Sequence, residues 1–392
     1  MGSRDYLDWP FFDAAHRRFM QEVDGFAQSG VLDGVDLRDV DGACRRLVAE
    51  LGRAGLLRVC VSSEYGGHAP QIESRRLTLA REGLAYRCSL ADFALAMQGL
   101  GSGPIALEGD EKLRQQVLPK VARGELIPAF ALSEPEAGSD VAAMSCTATR
   151  DGGDYVVSGR KTWISNGGIA DVYVLFARTG EAPGTRGISA FVVYPDDPGF
   201  AIAERLEVMA PHPLATLQFD EMRLPASRML GAPGTGFKLA MRTLDIFRVS
   251  VAGAALGFAR RALDEALAHT QARQLFGEPL AAKQMTQDRI GEMATLLDAA
   301  ALQTYRAAWK RDVQGGATTL EAAMAKMAAT ENAQRIVDGS LQLFGARGVQ
   351  VGGVMESLYR EIRALRIYEG ATEVQKMIIA REVQKAHQEA RG

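Results

Sequence analysis

Apolar positions divide the chain into three stretches of different period. Up to about residue 124 they recur at helical spacing. The run from Ala43 to Leu57, ACRRLVAELGRAGLL, is one example, and 74–85 and 89–100 are two more. Asp110-Glu111-Lys112-Leu113 predicts a further helix capped by Asp110, since acidic groups suit a helix N-terminus. The middle of the chain has short β-branched and aromatic runs instead: 155–158, 172–176, 188–194 and 216–220. Gly152-Gly153, Gly184 and Pro195-Asp196-Asp197-Pro198-Gly199 punctuate them, which predicts strands and turns. Beyond Gly231–Gly236 the helical period returns in long runs over 237–269, 280–313 and 319–344. Long helices joined by short Gly-containing loops predict an antiparallel bundle. The expected fold is mainly α with a central β domain. It has an N-terminal helical domain (1–124), a small antiparallel β domain of sandwich or barrel-like form (125–233) and a C-terminal four-helix bundle (234–392). There is no internal repeat and no low-complexity segment.

Composition narrows the function classes. A hydrophobic share of 47% and a charged share of 24% are ordinary for a globular chain. The net charge is −3 and the basic residues are scattered, which excludes a nucleic-acid partner held by clustered positive charge. A local positive site for a phosphorylated ligand is still allowed. The four cysteines (Cys44, Cys60, Cys88, Cys146) lack CxxC spacing and read as small buried hydrophobes in a reducing compartment. The five histidines form no ligand cluster, so no metal is expected. The stretch from Met1 to Gly30 holds no apolar run of signal-peptide length and the chain no stretch of about 18 apolar residues, so no membrane span and a cytoplasmic location are expected. Gly2 raises myristoylation, but Tyr6 stands where that motif needs Ser or Thr.

Two distant segments carry the chemistry. One is Ala131-Leu132-Ser133-Glu134-Pro135-Glu136-Ala137-Gly138-Ser139-Asp140, followed by Lys161-Thr162-Trp163-Ile164-Ser165-Asn166-Gly167. It offers small, polar and aromatic groups to a planar cofactor. The other is Arg366-Ile367-Tyr368-Glu369-Gly370-Ala371-Thr372-Glu373-Val374-Gln375, with a carboxylate between an aromatic ring and a glycine. Taken singly, each has a plainer reading. A lone Trp on a strand is core, a lone Ser-Glu-Pro is a turn, and Glu369 could cap a helix starting near Ala371.

With Arg273-Gln274-Leu275-Phe276-Gly277, Gln284 and Gln342-Leu343-Phe344-Gly345, these motifs stand in the order found in one family. Over nearly its whole length the chain resembles the acyl-CoA dehydrogenases. The resemblance implies FAD as cofactor and α,β-dehydrogenation of an acyl-CoA thioester to the 2-enoyl-CoA. Glu369 would remove the α-proton and the flavin would accept the β-hydride. Burial beside an acyl chain would raise Glu369 from its ordinary pKa of about 4.3. Phe130, Leu132, Ser133, Trp163 and Ser165 would lie along the flavin. Arg273, Phe276, Gln284, Gln342, Gly345, Thr372 and Glu373 would hold the rest of the cofactor, several of them from a neighbouring subunit of a homotetramer. Ser139, Asp245, Arg248, Tyr368 and Gly370 would contact substrate. Asp245 and Arg248 are also spaced to pair with each other. Some members place the base where Phe247 stands here, and a phenyl ring cannot take a proton. Electrons would pass to an electron-transfer flavoprotein.

Three departures stand out. Ala371 replaces a common Thr, Ala346 a common Gly, and Met209-Ala210-Pro211-His212-Pro213 a segment more often containing Gly and Arg. Arg87 resembles the position where glutaryl-CoA dehydrogenases and a desulfinase group hold the terminal anion of the acyl chain, and a guanidinium suits that task. The plainer reading is that it caps a helix C-terminus or projects to solvent. Oxidative decarboxylation or desulfination is therefore one alternative, and dehydrogenation of a carrier-protein-bound acyl group is another. A catalytically silent FAD-binding relative is a fourth reading, which retention of Glu369 disfavours.

Overall fold

The computed structural model describes residues 4–391, so the Gly2 question lies outside the described residues. The chain forms two compact units, each assembled from separated stretches: residues 1–32, 73–92 and 248–392 in the first, 33–72 and 93–247 in the second.

The first unit is helical. Its helices are α1 (Ala14–Gln28), α3 (Ser74–Arg87), α7 (Gln284–Trp309), α8 (Thr319–Phe344), α9 (Val354–Leu365) and α10 (Thr372–Glu389). It also contains the larger part of α6 (Gly236–Ala272) and the start of α4 (Ser89–Glu108). Small residues let these helices approach closely. The buried face of α8 is mostly Ala322, Ala323, Ala325, Ala329 and Ala333, with Ile336 and Val337. Lys326 and Thr330 interrupt that face. A buried carboxylate, Glu82, ties the unit's elements together. It accepts from Arg4 at 3.2 Å, from Arg260 at 2.7 Å and from the Tyr305 hydroxyl.

The second unit is built on the sheet. Around it are α2 (Val40–Arg53), α5 (Glu111–Ala122), most of α4 and the first part of α6. Asp110 caps α5 by accepting from the Leu113 amide at 2.7 Å, as the sequence predicts. The strands are β1 (Pro128–Ala131), β2 (Thr147–Asp151), β3 (Asp154–Ser165), β4 (Val172–Arg178), β5 (Ile188–Val193), β6 (Phe200–Leu206), β7 (Leu214–Pro225) and β8 (Met229–Leu230). They run in the order β6-β7-β3-β2-β4-β5-β8, with β1 beside β4. The sheet is largely but not wholly antiparallel. β1 runs parallel to β4, and β2 meets β4 in parallel at Thr147 and Arg178. β2 and β3 separate β1 from β4 in sequence, so no tight hairpin forces that pair to run oppositely. A small hairpin of β9 (Gln274–Leu275) and β10 (Glu278–Pro279) belongs to the first unit.

Two features adjust the expected elements. α4 continues past Pro104 to Glu108, beyond its predicted end. β3 is bulged between Lys161 and Ile164, inside the motif that carries Trp163.

Phe247 is 2% exposed. A Cβ added to Gly99 would lie 2.3 Å from its ring, and one added to Gly103 would lie 3.1 Å from it. The ring therefore fills the space that two glycines of α4 leave open. Phe247→Ala should cost about 3–5 kcal/mol through the cavity it leaves, read as a lower urea midpoint at unchanged slope.

Candidate active site

In the second unit, β1 leads into the Leu132–Asp140 loop, which a buried ion pair fixes. Lys161 on β3 places Nζ 2.8 Å from Glu134 Oε1 and donates to the Leu132 carbonyl at 3.0 Å. Glu134 also accepts from the Ser145 amide and hydroxyl at 2.6 and 2.8 Å and from the Cys146 amide at 3.0 Å. Burial alone would raise the Glu134 carboxyl, but Lys161 and the amide donors hold it below its ordinary value. The Thr162 amide donates to the Ser133 carbonyl at 3.0 Å, so the loop and β3 are joined directly.

The bulge re-aims the residue after Thr162. Trp163 sits at φ 60°, a left-handed conformation unusual for a side chain of that size, and is 57% exposed. Asn166 has φ 61° and is buried. Its amide donates to Pro213 O at 2.8 Å and its side chain to Pro128 O at 3.1 Å. The half-buried Phe130 packs on Phe176, ring centres 4.9 Å apart, and Leu132 is buried. Among the described residues, neither the Ser133 nor the Ser165 hydroxyl has a hydrogen-bond partner. An exposed indole on a rigid bulge, flanked by unused hydroxyls, fits a planar ring with a polar edge. The unusual loop is packed rather than loose, because the His212 ring stacks on Phe93 with centres 4.4 Å apart.

In the first unit, the segment from Arg366 to Thr372 turns the chain from α9 into α10. Glu369 is at φ 51° and Gly370 at φ 92°. A Cβ on Gly370 would fall 2.3 Å from Gln375 Nε2, so a larger residue there would disturb the turn. Glu369 is half-buried as a residue, yet its Oε2 is shut off from solvent and has no hydrogen-bond partner among the described residues. Burial pushes its carboxyl above the ordinary value, while Arg81, Lys326 and Arg248 pull it down and Asp92 pushes it up. Arg81 is itself buried and bidentate to Asp92, at 2.8 and 2.9 Å, with a third bond to Ser250 at 3.1 Å. The neighbouring Tyr368 phenol is held far above its ordinary value, chiefly by burial.

The other expected site residues are spread over both units. Thr372 and Gly370 share the turn, but the Thr372 hydroxyl donates to Glu331 at 2.6 Å. Glu373 is exposed in the first turn of α10. Arg273 is exposed, and Phe276, at φ 53° and 91% exposed, forms the tip of the β9–β10 hairpin. Gln284 opens α7 and Gln342 ends near Gly345, the C-cap of α8, all three exposed. Ser139 is exposed in the second unit, Asp245 is partly buried, and Arg248 is buried. Arg87 is the exposed last residue of α3.

Sequence reasoning passed over Lys326, Glu331 and the Arg81–Asp92 pair. One signal was present: Lys326 is the sole charge between Glu321 and Glu331, in a stretch otherwise of Ala, Met and Thr. No comparable pattern marks Arg81. Removing one partner of a buried pair strands the other charge. Glu134→Ala should therefore destabilise the chain by about 3–5 kcal/mol. Adding Lys161→Met should recover much of that loss, and urea unfolding of the single and double variants checks both statements.

Three family models, the N-terminal, middle and C-terminal domains of acyl-CoA dehydrogenase, match residues 13–125, 129–222 and 234–384. The chain is 36% identical over 349 residues to cyclohexane-1-carbonyl-CoA dehydrogenase of Geobacter metallireducens, covering 88% of this chain and 90% of the relative. Its fold is similar to butyryl-CoA dehydrogenase from Megasphaera elsdenii, with TM-score 0.88, 29% identity and 95% and 99% of the two chains covered. It is also similar to glutaryl-coenzyme A dehydrogenase in complex with glutaryl-CoA, with TM-score 0.85, 32% identity and 94% and 95% covered. The chain belongs to the acyl-CoA dehydrogenase family, the FAD-dependent oxidoreductases that act on CH–CH donors.

Proposed function

We propose that the chain removes two hydrogens from adjacent carbons of an acyl-CoA and releases the 2-enoyl-CoA. The observation that carries this reading is the Glu369 carboxylate, with one oxygen closed to solvent and unpartnered, and a raised proton affinity. Leaving such an oxygen unpaired is costly. A base that must accept a carbon-bound proton gains from the same features. Dry surroundings strengthen it, and a free lone pair faces the incoming hydrogen. The α-proton goes to Glu369 and its bonding pair becomes the new double bond. Bound FAD supplies the oxidant that accepts the β-hydride.

The protein's remaining work is positioning. Trp163, Ser133, Ser165 and the main chain around Leu132 would orient the flavin ring, and the Lys161–Glu134 pair would keep that platform rigid. The exposed hairpin of Arg273 and Phe276, with Gln284, Gln342 and Gly345, supports a cofactor site completed by a neighbouring copy in a homotetramer. Thr372 and Glu373 would serve the same cofactor. Arg248, Asp245, Ser139, Tyr368 and Gly370 would serve the thioester. An electron-transfer flavoprotein would take the electrons onward.

For the acyl group we favour a short or cyclic chain without a terminal charge. The relatives named for cyclohexane-1-carbonyl-CoA and butyryl-CoA support it. So does Arg87, which stands exposed at the carbonyl end of α3, where a cation complements the helix without any ligand. The glutaryl-CoA dehydrogenase neighbour keeps decarboxylation as the second reading, since Arg87 resembles in sequence the position that would hold a carboxylate there.

Glu369→Gln should slow anaerobic bleaching of the bound flavin by about 100-fold or more. A parent-like rate would remove Glu369 from the role of base. In the parent, bleaching should weaken as pH falls through the Glu369 pKa, because only the ionised form accepts the proton. That acid limb should lie above the ordinary carboxylate value of about 4.3. Butyryl-CoA and cyclohexane-carbonyl-CoA should bleach the flavin, and glutaryl-CoA should release no carbon dioxide. Carbon dioxide from glutaryl-CoA would establish the decarboxylating alternative.

A further inference from the structure

We propose that Lys326 and Glu331, both on α8, are positioning residues that clamp the turn carrying Glu369. The inference rests on the reading of Glu369 as the base.

The turn needs holding. Two consecutive residues lie in the left-handed region, and one of them, Glu369, carries a side chain. Such a conformation is costly for a residue with a side chain and persists only where the surroundings enforce it. The two α8 side chains reach different parts of it. Glu331 Oε1 accepts from Arg366 Nε at 2.8 Å and from the Thr372 hydroxyl at 2.6 Å. It therefore grips both ends of the turn, which the Thr372 amide also closes by donating to Arg366 O at 3.1 Å. Lys326 Nζ grips the middle, donating to Gly370 O at 2.8 Å. Gln375 of α10 donates to the same oxygen at 2.9 Å and to Glu369 O at 3.4 Å.

Lys326 is an expensive way to make one hydrogen bond. It is fully buried in an alanine face, where an apolar side chain would pack without desolvating a charge. Its placement is explained by what stands beside it. Glu369 and Lys326 each bear on the other's charge, with Arg81 from α3, Asp92 from α4 and Arg248 from α6 also facing Glu369. Arg248, Glu331 and Glu373 complete the surroundings of Lys326. Lys326 thus has two separable effects, a donor that fixes the turn and a positive charge that restrains the base. Glu331 acts chiefly through the first, since the largest influences on Glu369 are burial, Arg81, Lys326, Arg248 and Asp92.

The test is the pH profile of flavin reduction in the FAD-loaded enzyme with its best acyl-CoA. Lys326→Met removes donor and charge. It should lower kcat about tenfold or more with KM within about twofold, since misplacing a reacting group is felt in the transition state. Its acid limb should move to higher pH, because Glu369 binds its proton more tightly without the neighbouring cation. Lys326→Gln keeps a donor and should recover much of kcat but not the limb. Glu331→Ala should lower kcat with the limb unmoved, and Glu331→Gln, which keeps an acceptor, should rescue it. A second readout needs no turnover. Burial brings the Lys326 ammonium down from 10.5 to about 8, so between those values the unfolded chain binds more protons than the folded one. The thermal stability of the parent relative to Lys326→Met should therefore rise with pH across that window.

Parent-like limbs in both Lys326 variants, or loss expressed in KM alone, would overturn the inference. If the Lys326 variants do not fold, the half-exposed Glu331 pair decides it alone: parent-like kcat in Glu331→Ala would overturn it. Glu369→Gln in parallel separates the two failures. An active Glu369→Gln sinks the base assignment, whereas an inactive one beside parent-like α8 variants sinks only the clamp.

Discussion

A carboxylate oxygen that is closed to water and left without a donor sets the terms for the first unit. Three other buried carboxylates are saturated: Glu82 has three partners, Glu134 four donor groups, and Asp92 a bidentate arginine. Glu369 is treated differently. The structure surrounds it with charge rather than with hydrogen bonds, so its proton affinity is adjusted while its lone pairs stay open. A hydrogen bond to Glu369 would have stabilised the anion but also occupied the acceptor that the proposed proton transfer needs.

The same division between rigid support and open function recurs in the second unit. Lys161 and Glu134 are spent on the loop beneath the platform, and Trp163, Ser133 and Ser165 are left with little to bind in the protein itself. Both units also place a candidate site side chain on a left-handed backbone. Trp163, Phe276 and Glu369 are three of the five non-glycine residues with positive φ among those described. A left-handed residue projects its side chain out of the run of the chain, at a cost that neighbouring hydrogen bonds must offset. The supporting groups are therefore as characteristic of the site as the groups they support.

Much of the architecture was legible because it rests on period. Helices starting at Ser74, Ser89, Glu111 and Thr319 follow from apolar spacing and caps, and the strand at Val172–Arg178 from its β-branched and aromatic run. β6 and β2 were not legible, because they are largely exposed strands with little apolar alternation in FAIAERL and TATRD. α9 was missed for another reason: VMESLYREIRAL is strongly amphipathic but short and lies outside the motifs that drew attention. In the site, residues that touch the turn in sequence were readable, such as Gly370 and Tyr368. Those that reach it from other helices were not. Arg81, Asp92, Lys326 and Glu331 become neighbours of Glu369 or its turn only through packing, and the spacing of a single chain does not encode that.

The charges around Glu369 raise a further question, since three cations should make a carboxylate a poorer base. The effect of two of them is blunted by how they are held. Arg81 is neutralised by the two bonds it donates to Asp92, which itself favours the protonated form of Glu369. Lys326 is buried enough that its own proton is loosely bound, at about 8. Burial therefore decides the direction of the shift in Glu369, and the cations limit its size. That balance suits a base that must be ionised before substrate arrives and must still bind a proton tightly enough to take one from carbon. Too little positive charge would leave it protonated at working pH, and too much would leave it ionised but inert.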